Sequence, residues 1–272
     1  MVNVNRHNTD APDAPDAPAE SVVALKDVSI GFGDQRVLDG VTFEVPAGQT
    51  AVVLGRSGVG KSVLLKLIVG LLCPDSGTVR FNGIDVNAIG ETQLSDLRTN
   101  VGVVFQGGAL FDSMNVFDNV AFGLRECRHG AEEEIREIVE SRLDMVGMKG
   151  SADKMPSELS GGMKKRVSLA RAVAMEPELV LYDEPTTGLD PVTAAIIDDL
   201  IVRTRDSLGT TSIVVTHDMP SARRIGDRFL MLHSGDFVFD GDLEALDSCE
   251  EPVVCHFIQG QAEGARSGSS QG

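Results

Sequence analysis

Residues 55–62 read Gly-Arg-Ser-Gly-Val-Gly-Lys-Ser, between the short apolar run Thr50–Leu54 and a helical pattern that runs from Lys61 to about Leu72. A strand that hands over to a helix through a glycine-rich turn leaves few folds open. It points to an α/β layer structure with the turn at the carboxyl edge of a parallel sheet. The GxxxxGK[ST] spacing turns successive backbone N–H groups of Gly55, Arg56, Ser57, Gly58, Val59 and Gly60 toward one anion, and the helix dipole points its positive end the same way. Lys61 then reaches the β- and γ-phosphates of a nucleotide, and the Ser62 hydroxyl is a ligand for Mg²⁺. A turn that merely caps a helix leaves the register of strand, loop and helix unexplained.

The flanking sequence alternates in the same way. Val22–Phe32 and Val37–Val45 read as strands around a Gly-Asp-Gln turn, and Thr78–Phe81 and Val101–Phe105 as further strands. From about Asn115 to Met175 the pattern is helical, with Ile135, Ile138, Val139, Leu143 and Val146 on one face and Glu132 and Arg136 spaced for an i,i+4 pair. Strand signals return at Leu179–Tyr182, Ser212–Thr216, Arg228–Leu232 and Phe237–Phe239, with helices at about Val192–Leu208 and Met219–Arg224 between them. The order is an α/β core interrupted by a helical insertion.

Two further motifs carry chemistry. Asp183-Glu184 closes the apolar run Leu179–Tyr182, which places both carboxylates at the sheet edge beside the glycine loop. Asp183 is placed to hold Mg²⁺ and Glu184 to polarise an attacking water. Leu159-Ser160-Gly161-Gly162-Met163 precedes a helix: Ser160 caps it, and the two glycines expose N–H groups at a second anion site.

Together these motifs resemble the nucleotide-binding domain of ABC transporters. Gly55–Ser62 looks like the Walker A motif, Asp183-Glu184 like the Walker B motif with its catalytic glutamate, and Leu159–Met163 like the signature. Gln106 resembles the Q-loop glutamine, Gly188-Leu-Asp190 the D-loop and His217 the switch histidine, while Phe32 falls where the family stacks an aromatic on adenine. Taken singly, Gln106 reads equally as a solvated loop residue, His217 as a satisfied polar group and Phe32 as core. The resemblance covers about Val23 to Gly241. It implies a P-loop NTPase core with an antiparallel β subdomain and a helical insertion subdomain, and ATP and Mg²⁺ as cofactors. It implies Glu184, His217 and Gln106 as catalytic residues, and Ser62, Gln106 and Asp183 around the metal. Phe32, the loop from Gly55 to Ser62, Ser160, Gly161, Gly162 and Asp190 are implied around the nucleotide. Met163 stands where the family usually has Gln, a change expected to alter ribose-side contacts while leaving Ser160 and the glycines in place. Met163, the stretch Gln106–Phe111 and the run Pro252–Gly260 are similar to the ATPase subunits of MCE-type phospholipid transporters. Osmoprotectant and methionine importers share much of Asn115–Leu124.

Composition narrows the partners. A formal net charge of −17 without a basic stripe argues against nucleic acid. Cys73, Cys127, Cys249 and Cys255 show no metal spacing and read as reduced thiols, although Cys249 and Cys255 are near enough in sequence to pair. The most apolar stretch, Val63–Cys73, is about half a membrane span and contains Lys66, and the start of the chain does not read as a signal peptide. The expected location is peripheral, on the cytoplasmic face of the cell membrane. Residues 1–20, with three Asp-Ala-Pro repeats, and 261–272 read as flexible tails around an ATPase domain at 21–260, whose helical subdomain runs from about 107 to 175.

The resemblance further implies a head-to-tail homodimer that sandwiches two ATP molecules, an integral-membrane permease docked beside Gln106, and an MCE-domain lipid-binding protein. Phe111, Met114, Val116 and Phe117 are candidates for permease contact or for the core of the helical lobe. Two other functions stay open: the ATPase subunit of a small-solute importer, and a soluble ABC protein outside transport.

Overall fold

Short continuous apolar runs mark the central strands, alternation marks residues 35–46, and helical spacing marks the segments between them. The computed structural model describes residues 21–127 and 130–260; the tails inferred at 1–20 and 261–272 lie outside the described residues. β1 (Ser21–Phe32) and β2 (Gln35–Pro46) form a hairpin, and β3 (Thr50–Leu54) leads into α1 (Lys61–Ile68). β4 (Ser76–Phe81), β5 (Ile84–Asp85), α2 (Glu91–Arg98) and β6 (Val101–Val104) follow. Three helices, α3 (Val116–Cys127), α4 (Glu132–Met145) and α5 (Gly161–Ala172), come before β7 (Leu179–Asp183). The chain continues through α6 (Pro191–Leu208), β8 (Thr211–Thr216), α7 (Met219–Ile225), β9 (Arg228–His233), β10 (Asp236–Gly241), α8 (Leu243–Asp247) and α9 (Pro252–Ile258).

The strands form two sheets. One is antiparallel, in the order β2-β1-β4-β5; the other runs β10-β9-β3-β8-β7-β6, parallel except for β10. Side-chain alternation along the parallel strands feeds two separate cores. Val52, Leu54, Val180, Tyr182 and Val214 pack with α3 to α7 on one face. Ala51, Val53, Leu179, Leu181, Ile213 and Val215 pack with α1 and the antiparallel sheet on the other. Strands covered on both faces need continuous apolar sequence, which is why β3 and β8 are buried along their whole length. The register pairs Leu54 with Thr216 and Asp183 with Val215. The residues that follow β3, β7 and β8 therefore emerge side by side at one edge.

Two local expectations are corrected. α1 stops at Ile68 rather than Leu72, because Gly70 turns left-handed at φ 66° and sends Leu71 out of the helix. Glu132 pairs with Arg125 of α3, not with Arg136, whose guanidinium lies 5.2 Å over the Phe117 ring. Of the two roles left open for them, Val116 and Phe117, at the start of α3, take the core one, whereas Phe111 is exposed. All four cysteines are free thiols, Cys249 and Cys255 included.

Candidate active site

The glycine loop is shaped by close approach. A Cβ on Gly55 would lie 2.7 Å from the Leu232 carbonyl oxygen, and Gly60 sits at φ 116°, where an L side chain is strained. The loop delivers Lys61 into a buried position, 6% exposed, at the start of α1. Its ammonium donates to the carbonyls of Gly55 (2.7 Å) and Arg56 (3.1 Å) and lies 3.3 Å from Glu184 Oε1. Next to it, the Ser62 hydroxyl donates to Asp183 Oδ1 at 3.0 Å. The parallel register thus joins the first and second motifs, 121 residues apart in sequence.

Glu184 is held from several sides. Its backbone has φ 49°, an unusual value for a residue with a side chain, and its N–H donates to the Val215 carbonyl at 2.9 Å. Glu184 Oε2 accepts from the Thr187 hydroxyl (3.0 Å) and the Thr216 hydroxyl (3.4 Å), and lies 2.9 Å from His217 Nδ1. Burial pushes this carboxyl up, but the His217 contact, the Lys61 charge and the Thr187 hydroxyl together outweigh burial and hold it below the usual glutamate range. The group is therefore an anion at neutral pH, with its Oε2 edge held in direction by three neighbours.

A cleft of about 450 Å³ opens onto these groups and is lined by Phe32, Lys61, Ser62, Gln106, Asp183, Glu184 and His217, with Ser57, Gly58 and Gly60 at the loop. Phe32 is half-exposed at its mouth, so its ring is available for stacking. Arg56 and Val59 face a neighbouring cavity behind the loop. Ser160, Gly161, Gly162 and Asp190 are outside this cleft. Ser160 Oγ caps α5 by accepting from the Met163 N–H at 3.3 Å, and Asp190 caps α6 by accepting from the N–H groups of Val192 and Thr193, each at 3.0 Å. A single copy thus divides its motif residues between two places.

Three contributors were missed by sequence reasoning. Thr187 and Thr216 hold the Glu184 carboxylate. Lys165, buried on α5, donates to the main-chain carbonyls of Gln106 and Glu184. Its signal was present in the spacing, since Lys165 shares a helix face with the buried Ser168, Leu169 and Ala172. Burial lowers the Lys165 ammonium, and the nearby Asp183 and Glu184 offset that only in part.

Residues 38–187 match the family described as ABC transporter. The chain belongs to the ABC transporter family. It is an ATP-hydrolysing subunit of such a transporter. It is 42% identical over 247 residues to the probable ribonucleotide transport ATP-binding protein mkl of Mycobacterium leprae, covering 91% of this chain and 71% of that one. It is 40% identical over 244 residues to the intermembrane phospholipid transport system ATP-binding protein MlaF of Escherichia coli K12, covering 90% of this chain and 91% of MlaF. Among solved structures, the ATP-binding cassette MJ0796, a dimer in a post-hydrolysis state bound to ADP and Pi, superposes with a TM-score of 0.74 at 33% identity, over 81% of this chain and 98% of that one. The cbiO1 subunit of the Clostridium perfringens cbiONQ transporter complex does so with a TM-score of 0.78 at 30% identity, over 88% of this chain and 96% of cbiO1. The ABC ATPase fold with an antiparallel β sheet and a parallel P-loop sheet is thus shared with these cassettes.

Proposed function

We propose that this ABC ATPase powers phospholipid transport, working as a head-to-tail pair beneath a permease and an MCE-domain lipid-binding protein. The carrying observation is the likeness to MlaF over 91% of MlaF's own length. In this reading Lys61 and the N–H groups of Gly55–Gly60 hold the nucleotide phosphates, Phe32 stacks on the base, and Glu184, oriented by His217, aligns the attacking water. Ser62, Asp183 and Gln106 offer the hard oxygen donors that suit Mg²⁺. Among the described residues no group of three or more His, Cys, Asp or Glu is placed to hold a metal ion, so the cation would share its shell with nucleotide phosphates. Mg²⁺ there would neutralise charge on the phosphates.

The separation of Ser160, Gly161, Gly162 and Asp190 from the cleft supports pairing, because each site then draws its second half from the other copy. MJ0796 is a precedent for a cassette that is dimeric with ADP and Pi bound. For the permease, Phe105, Phe111 and Phe122 are exposed, with the Phe111 and Phe122 rings 4.8 Å apart and the Arg171 guanidinium 5.6 Å over Phe111. Such an apolar patch beside Gln106 suits a helix from a membrane subunit. No helix of the described residues is long and apolar enough to cross a membrane. In this reading the chain reaches the cytoplasmic face of the cell membrane through that patch. The mkl likeness favours a second reading, a small-solute transporter of the ribonucleotide class. Purification from the native cell in mild detergent separates the two. Co-purified permease, MCE-domain protein and phospholipid support the lipid reading; a solute-binding protein carrying a small polar solute overturns it.

A further inference from the structure

Lys165 belongs to the run Lys164-Lys165-Arg166 that follows the signature, and it carries none of the motif roles. It lies on α5, the helix capped by Ser160, and only 6% of it is exposed. A buried ammonium must find acceptors, and this one uses two main-chain carbonyls on separate segments. One is the Gln106 carbonyl, which follows β6; the other is the Glu184 carbonyl, 3.2 Å away, at the end of β7. The Gln106 and Glu184 side chains both line the nucleotide cleft. A single side chain on a rigid helix therefore connects the Ser160-capped segment to both residues, at a distance of only a turn or so from Ser160.

We propose that Lys165 is a positioning residue for ATP hydrolysis: it pins the backbones of Gln106 and Glu184 to the signature helix, so that seating α5 sets the places of the metal-side glutamine and the water-aligning carboxylate together. This rests on the roles given to Gln106 and Glu184 above. The mechanical logic follows from the contacts. Gln106 belongs to the segment that leads into the helical lobe, α5 is part of that lobe, and Glu184 belongs to the central sheet. Movement of the lobe is then carried to the sheet edge through the Lys165 ammonium as well as through the chain. Lys165 itself does not line the cleft, so it acts there only through Gln106 and Glu184.

The test uses the full chain with Lys165→Met, Lys165→Arg, Lys165→Gln and Glu184→Gln. Lys165→Met keeps the length of the side chain and removes every donor; its kcat falls by about tenfold or more while KM for MgATP stays within about twofold. Lys165→Arg, which keeps the charge and several donors, returns kcat to within about threefold of the parent. Hydrogen exchange speeds up at residues 105–108 in Lys165→Met and is unchanged at 55–62. If Lys165→Met does not fold, Lys165→Gln, with one donor, carries the same kcat and exchange comparison. Parent-like kcat in the donor-poor variant, equal losses in the Arg and Met variants, or unchanged exchange at 105–108 would overturn the proposal. Glu184→Gln separates the two levels. Parent-like turnover in Glu184→Gln defeats the reading of the site itself; loss of turnover there with full activity in Lys165→Met defeats only the role of Lys165.

Discussion

Asp198 gives a pH dependence that runs against the other perturbed carboxylates. It lies on α6, 2% exposed, and Oδ2 accepts from the Ser221 hydroxyl at 2.9 Å. Its other oxygen, Oδ1, is buried without a hydrogen-bond partner among the described residues, and Arg224 Nε stands 3.9 Å from Oδ2. Burial pushes this carboxyl from 3.8 up to about 6; the Ser221 bond and Arg224 resist the shift, and Asp218 and Asp199 add to it. In the unfolded chain the group ionises near 3.8, so between there and about 6 the fold binds the extra proton and stability falls as pH rises. Above about pH 6 the fold carries the full penalty, about 3 kcal/mol at 1.36 kcal/mol per tenfold. Asp198→Asn removes the ionisation and leaves an oxygen to face Ser221. The Asn variant should be more stable by about 3 kcal/mol at pH 7.5, and by only about 1 kcal/mol at pH 4.5. Urea unfolding followed by far-UV circular dichroism at several pH values reads this directly, provided the m-value is unchanged. An advantage that does not vary with pH, or a less stable variant at pH 7.5, would refute the reasoning.

Glu184→Gln should lower ATP turnover by roughly 10²-fold or more while leaving MgATP binding intact, checked by single-turnover kinetics beside equilibrium binding. Lys61→Ala removes the ammonium assigned to the phosphates in the proposed function, and a fluorescent-ATP titration should show weakened nucleotide binding. Mixed pairs that carry Lys61→Ala and Ser160→Arg should keep one working site in one arrangement and none in the other. Equal ATPase activity in the two arrangements would count against a site shared between copies. Phe32→Ala should raise the dissociation constant for ATP by about three- to tenfold, the value of one aromatic contact, with kcat little changed.

The legibility of the fold followed the strength of local signals. β3, α1, β7, α6 and β8 were readable because apolar runs, glycine and the Asp190-Pro191 helix start all pointed the same way. β5, α2, α8 and α9 were not read: α2 buries only Leu94 and Leu97, and β5 is two residues held by pairing with β4. Such elements draw their stability from neighbours, which a local pattern does not record. At the site, the motif residues were readable because their chemistry demands particular types at fixed spacing. The roles of Thr216 and Lys165 were not, because their partners lie 32 and up to 59 residues away and for Lys165 are main-chain carbonyls, which every residue possesses; Thr187 lies three residues from Glu184, but a threonine at that spacing is not a signal by itself.

The backbone at Glu184 sets folding and chemistry at odds. A residue with φ 49° is one that glycine would occupy with less strain. A library randomised at this codon and screened only for resistance to heat or protease should enrich glycine and discard the carboxylate, whereas a screen for growth on transport should restore glutamate. The codon would then report which pressure had acted, and protocols that rank variants by melting temperature alone would select against turnover at this position.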